Sequence, residues 1–232
     1  MSLKCSFLLL LIACEGIILP AQTVEEHILA FHFTMGNSAL QLNNPHYQPG
    51  DDSIQIELLR FYVSGIELLN NNKTIFKEKN SFHLIDASEN RSLLIPLNTA
   101  PNITFNRIKF NLGIDSVTNV SGAMGGDLDP TLGMYWTWQS GYINFKLEGK
   151  SNRCKTRNNE FQFHLGGYQS PFSALQTVIL NTAATKKINI VLNMEKVIGD
   201  VDMVSQNHIM SPGKDAVSLS EKVSTNFSIQ QK

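Results

Sequence analysis

The chain has 232 residues with 19 basic and 20 acidic side chains, a formal net charge of −1, and 42% hydrophobic residues. That is enough apolar material for one large domain. No Lys/Arg run exceeds two residues, and nucleic-acid binders usually carry a clustered basic excess, so this class is set aside.

The N-terminus reads as an export signal over residues 1–22. Lys4 supplies a positive start, and Phe7 to Ala13 is an apolar run too short to span a bilayer. Two processing readings stand side by side. Leu11-Ile12-Ala13-Cys14 resembles a bacterial lipobox, with Cys14 as the lipidated residue; alternatively, cleavage falls near Ala21-Gln22. Both place the domain, residues 26–232, outside the cytoplasm, in the periplasm or anchored to the outer membrane. A lipid on Cys14 is then the membrane contact to expect. No later run is long enough for a transmembrane helix. Cys5 and Cys14 fall in the signal, so Cys154 is left without an intramolecular partner and reads as a bystander thiol.

Short strand signals follow in order. Ile28 to Thr34 is the first strand, and Asn43 to Asp52 is a turn-rich loop. Ile54 to Leu69 reads as two strand segments joined at a bend or bulge near Ser64-Gly65. Asn70 to Lys73 turns the chain into a strand over Ile75 to Asp86. Ser92 to Leu97 and Ile103 to Leu112 come next, the latter with lost parity that implies a bulge near Asn106-Arg107. Beyond them lies Gly122 to Gly133, a glycine-rich acidic loop, followed at once by Trp136 and Trp138, the only tryptophans of the chain. Tyr142 to Leu147 and Glu160 to Leu165 alternate cleanly, putting Tyr142, Asn144 and Lys146 on one side, and His164 opposite Phe161, Phe163 and Leu165. Ala174 to Leu180 and Ile188 to Met194 flank a turn at Thr182–Lys187. Ala216, Leu219, Val223 and Phe227 are spaced as one face of a short helix. The expected fold is all-β: an antiparallel β-sandwich with long functional loops and a short C-terminal helix.

Five Asn-x-Ser/Thr sequons begin at Asn72, Asn90, Asn102, Asn119 and Asn226, as chance allows in an Asn-rich chain.

Enzymatic signatures are missing from the sequence. It contains no Gly-x-Ser-x-Gly elbow, HExxH, CxxC or phosphate-binding loop, so the expectation is a protein that is not an enzyme. Metal binding fits better. His32 and His164 sit on strands and point away from the Phe faces. His208 and Met210, two apart, share a side in extended backbone. Imidazole with thioether is a set suited to soft Cu(I) in an exported protein. Trp136 and Trp138 also share a side if extended, either as core or as a wall of a metal pocket. Asp127 and Asp129 offer hard oxygen ligands for Ca²⁺, set against an Asx turn at Asp129-Pro130.

The runs LRFYVSGIELL, SFHLID, FNLGIDSVTNVSGAMGGDLDPTLGMYWTWQSGYINFKLEG and EFQFHLGGY resemble the MbnP-like family, the exported copper-binding proteins associated with methanobactin. The likeness runs from about His32 to Phe227. It implies an exported β-sandwich that binds copper, in which a MauG-type di-haem peroxidase partner oxidises a tryptophan to kynurenine. On this chain that residue would be Trp136 or Trp138, and the histidine of EFQFHLGGY is His164. The distantly similar surface copper proteins lead one to expect Trp-x-His, whereas the residue two beyond Trp136 is Trp138. The implied role is copper acquisition, storage or handover. A calcium-stabilised extracytoplasmic binding module without copper is the alternative.

Overall fold

The computed structural model describes residues 23–48 and 52–230. The segment read as an export signal, residues 1–22, with Cys14 and both candidate processing positions, lies outside the described residues. In chain order come β1 (Glu25–Met35), β2 (Ser38–Ala39), β3 (Pro45–Gln48), β4 (Asp52–Asn70), β5 (Lys73–Lys77) and β6 (Phe82–Asp86). Next are β7 (Leu94–Thr99), β8 (Arg107–Leu112), helix α1 (Ser116–Val120), β9 (Tyr135–Trp136), β10 (Gly141–Ser151) and β11 (Glu160–Gly166). The chain closes with β12 (Gln176–Asn181), β13 (Lys187–Asn193), α2 (Met194–Ile198), β14 (His208–Ile209), α3 (Lys214–Ser224) and β15 (Phe227–Ile229). Among the described residues no helix is long and apolar enough to cross a membrane.

Two sheets make a sandwich-like, mostly β fold. The first runs β15-β13-β1, with β7 and β2 both pairing β1; the second runs β12-β8-β4-β10-β11-β14, with β3, β5 and β6 on β4 and β9 on β10. Alternation drives the layering: in β8 Ile108, Phe110 and Leu112 are buried while Arg107, Lys109 and Asn111 are only partly so. Inner faces meet through aromatic rings. Phe31 of β1 lies edge-on to Phe61 of β4 and Phe110 of β8, at centroid distances of 5.9 and 6.0 Å. Cys154 is buried in this core, and burial pushes its thiol pKa up, as suits an inert packing residue.

Several expected elements are corrected. The fold is all-β but not wholly antiparallel: β1 pairs β13 in parallel, and so does β11 with β14. The segment after β12 crosses from one sheet to the other instead of turning back beside it. Residues 52–70 form one long strand, not two. Gly65, at φ 59°, takes the left-handed conformation inside it, and the pairing register slips between Ser64 and Glu67, so of the bend or bulge anticipated there the chain forms the bulge. Conversely, the strand expected over Ile75 to Asp86 is two strands separated by a turn with Asn80 at φ 50°. The parity lost near Asn106 is a strand boundary rather than a bulge, since β8 starts at Arg107 and Phe105 packs from the preceding loop. Helix α3 buries Ala216, Leu219 and Val223 as its spacing predicts, but Phe227 has left the helix for β15, where it packs on Phe61 and Phe110.

Candidate metal centre

A second, smaller apolar cluster lies outside the main core. It joins Tyr62, Ile114, Leu128, Met134, Trp136, Tyr142 and Ile143. The residues between β8 and β10 fold down over one end of the outer face of the second sheet and cover it. This cap is pinned at many points. Tyr62 donates its hydroxyl to the Asp127 carbonyl at 3.0 Å, and Tyr142 donates to that of Leu128 at 3.1 Å. Asn144 accepts the Ile114 N–H at 3.0 Å, and Asn119 accepts the Tyr142 N–H at 2.8 Å. Alternation puts Tyr142 and Asn144 on a solvent-facing side; the cap instead buries both. Burial accordingly raises the pKa of both Tyr62 and Tyr142.

The acidic half of the loop holds itself together. Asp129 accepts the N–H and hydroxyl of Thr131 at 2.8 and 2.7 Å, the Asx-type turn anticipated at Asp129-Pro130. Those two bonds keep the Asp129 carboxyl below the usual carboxylate range. Asp127 accepts the Leu84 N–H at 2.9 Å, tying the loop to β6. The short 3-10 turn Pro130–Leu132 ends at Gly133 with φ 74°, a conformation that favours glycine. Its last carbonyls face cations: Arg60 Nη1 reaches the Leu132 oxygen at 3.1 Å, and Lys146 Nζ reaches that of Gly133 at 3.2 Å.

The tryptophans part company. Trp136 is 6% exposed and Trp138 is 65% exposed, because residues 137–140 turn between β9 and β10 instead of staying extended. Their rings still touch, with centroids 5.7 Å apart. Trp136 lies on the backbone of β11. A Cβ at Gly166 would sit 2.6 Å from its indole ring, so only glycine admits this approach.

His164 is on that same face, two residues before Gly166, and is 7% exposed. Its Nε2 lies 2.6 Å from Glu148 Oε1. Burial lowers the His164 pKa, with Lys146 and His208 adding to the drop and Glu148 opposing it. The imidazole is therefore a free base at neutral pH, the form that ligates metals. β14 runs parallel beside β11 with Gln162 opposite His208 and Phe163 opposite Ile209. Gln162 and His164 share the outer face, so His208, opposite Gln162, is on that side as well, and Met210 follows just past the end of β14. Met210 is 42% exposed, and His208 Nδ1 is 2.9 Å from Asn207 Oδ1. Trp136, His164 and His208 thus lie on one face at one edge of the second sheet, with Met210 just beyond β14.

His32 is not with them. It is exposed on β1 of the first sheet, 3.1 Å from Asn189 Oδ1, with the core between it and His164. Asp127 and Asp129 belong to the cap. Among the described residues there is no group of three or more His, Cys, Asp or Glu side chains placed to hold a metal ion. Sequence reasoning missed Glu148, Gly166 and Asn207. Alternation puts Glu148 on the polar side of β10, but which strand it faces depends on pairing.

A two-sheet sandwich with a loop-capped tryptophan beside a strand-borne histidine pair defines the class. The family model for MbnP matches residues 24–211, and the chain belongs to the MbnP family. Among solved structures it is similar to MbnP from Methylosinus trichosporium, with a TM-score of 0.65 at 14% identity over 89% of this chain and 98% of that one. At that identity the likeness is one of fold. Comparison with the curated proteins gives no match.

Proposed function

We propose that the protein is an exported, methanobactin-associated copper-binding protein, a carrier or store rather than an enzyme, and that it holds Cu(I) through His164, His208 and Met210. The observation that carries the reading is the β11–β14 register, which sets His208 on the same face as the buried, free-base His164, with Met210 two residues on. The donor set suits the ion: two neutral imidazoles and a thioether are soft ligands, and no carboxylate is required. Membership of the MbnP family supports an association with methanobactin.

Trp136 and Trp138 are the candidates for oxidation to kynurenine by a MauG-type di-haem peroxidase. Trp136 stands on the His164 face, and Trp138 offers the exposed edge of the pair. Peptide mapping of protein from its native host reads the modification directly.

Competitive Cu(I) titration tests the ligands. His164→Ala and His208→Ala should each weaken binding by roughly 100-fold, the loss expected for one good ligand of a few kcal/mol. Unchanged stoichiometry and affinity in both variants would sink the assignment.

A further inference from the structure

The two histidines of this face are held by different atoms. His164 meets Glu148 through Nε2, at 2.6 Å. His208 meets Asn207 through Nδ1, at 2.9 Å. We propose that Glu148 and Asn207 fix opposite tautomers on the pair, so that His164 presents Nδ1 and His208 presents Nε2 to the metal ion. The proposal rests on the copper reading of this site and names the positioning residues behind its ligands.

For His164 the argument is direct. A carboxylate only accepts, so the ring nitrogen facing Glu148 carries the hydrogen. Glu148 is itself steadied by Lys146, whose Nζ lies 3.5 Å from the same Oε1. The lone pair of the neutral imidazole is then on Nδ1, which has no hydrogen-bond partner among the described residues. A ligating imidazole that gives its other N–H to a carboxylate is oriented and made more basic by it.

For His208 the partner is an amide, and its orientation decides the tautomer. Asn207 donates its Nδ2 to the carbonyls of Met203 and Val204, at 3.2 and 3.1 Å. Those two bonds fix the amide nitrogen, so the oxygen faces His208 and must accept from it. Nδ1 therefore carries the hydrogen, and Nε2 keeps the lone pair. The Asn207 backbone carbonyl also accepts the Gln162 N–H at 2.8 Å, which docks this amide against β11 two residues from His164. One short segment thus sets the position of β14 and the tautomer of its histidine.

Long-range ¹H–¹⁵N correlation spectra of the ¹⁵N-histidine-labelled protein, with and without one equivalent of Cu(I), test this. The metal-free protein should show His164 as the Nε2–H form and His208 as the Nδ1–H form. Cu(I) should then shift His164 Nδ1 and His208 Nε2. Glu148→Ala should mix the His164 tautomers and weaken Cu(I) binding by roughly 10–100-fold, the range for loss of such a partner. Glu148→Gln, which keeps an acceptor oxygen, should restore the tautomer and most of the affinity. The opposite tautomers in a protein that still binds Cu(I), or a Glu148→Ala variant with wild-type spectra and affinity, would overturn the proposal alone. A wild-type protein that shows the stated tautomers but binds no Cu(I) would overturn the copper reading, and with it the ligand roles of both histidines.

Discussion

On the outer face of the first sheet, His32 is exposed and its Nε2 lies 3.1 Å from Asn189 Oδ1. On the outer face of the second, His164 is buried, bound to Glu148, and lowered in pKa. Both are strand histidines that alternate with apolar neighbours, and the strands that carry them face one core. The difference is the cap. Residues 114–140 fold over one sheet and not the other, and the aromatic cluster they build excludes water from one end of β10 and β11. His164 lies beside the covered end of its sheet, where Trp136 rests on Gly166 two residues along the strand.

Removing the cap should therefore erase the contrast. Trp136→Ala deletes the largest side chain of the small cluster and should cost about 3–5 kcal/mol in urea melts, as large aromatic truncations do. Gly166→Val attacks the same contact from below, because a Cβ there would collide with the indole and with the Tyr142 carbonyl. About 1–3 kcal/mol is expected from this overpacking, and a melt close to wild type would mean that the ring does not rest on β11.

Acidity sharpens the contrast in a gentler way. The folded protein holds His164 below its ordinary value of 6.5. The unfolded chain thus binds the proton first as pH falls below 6.5. Stability from this group is full above that pH and declines as the pH drops toward the lowered folded value. Urea melts at pH 7.5 and 5 should show less of this acid loss in His164→Gln. The smallest effects belong to exposed partners. Trp138→Ala and His32→Ala should each leave stability within about 0.5 kcal/mol of wild type by thermal melts, despite sharing residue type with Trp136 and His164.

Much of the fold was legible in the sequence. Parity marked the inner residues of β11, and the 3.6-residue spacing marked α3. Sheet membership was not legible, since Lys187 to Asn193 reads the same whether it returns beside β12 or crosses to β1. The site was legible in pieces. His208 and Met210 were a pair by spacing alone, and His164 faced away from the core by alternation. That His208 lies on the His164 face depends on a parallel contact of two residues in register, Gln162 with His208 and Phe163 with Ile209, which leaves no local pattern. Trp136 and Trp138 differ because of a turn after Trp136, where extended backbone would have kept them alike. His32 shows the limit of alternation: it states which side a residue faces and not whether that side is covered.

The most direct measurement is X-ray absorption at the copper edge of the Cu(I)-loaded protein, compared with Met210→Leu. Ligation by His164, His208 and Met210 predicts imidazole nitrogens together with one sulfur neighbour, and loss of the sulfur in Met210→Leu. A wild-type spectrum with no sulfur, or one that Met210→Leu leaves unchanged, would contradict it.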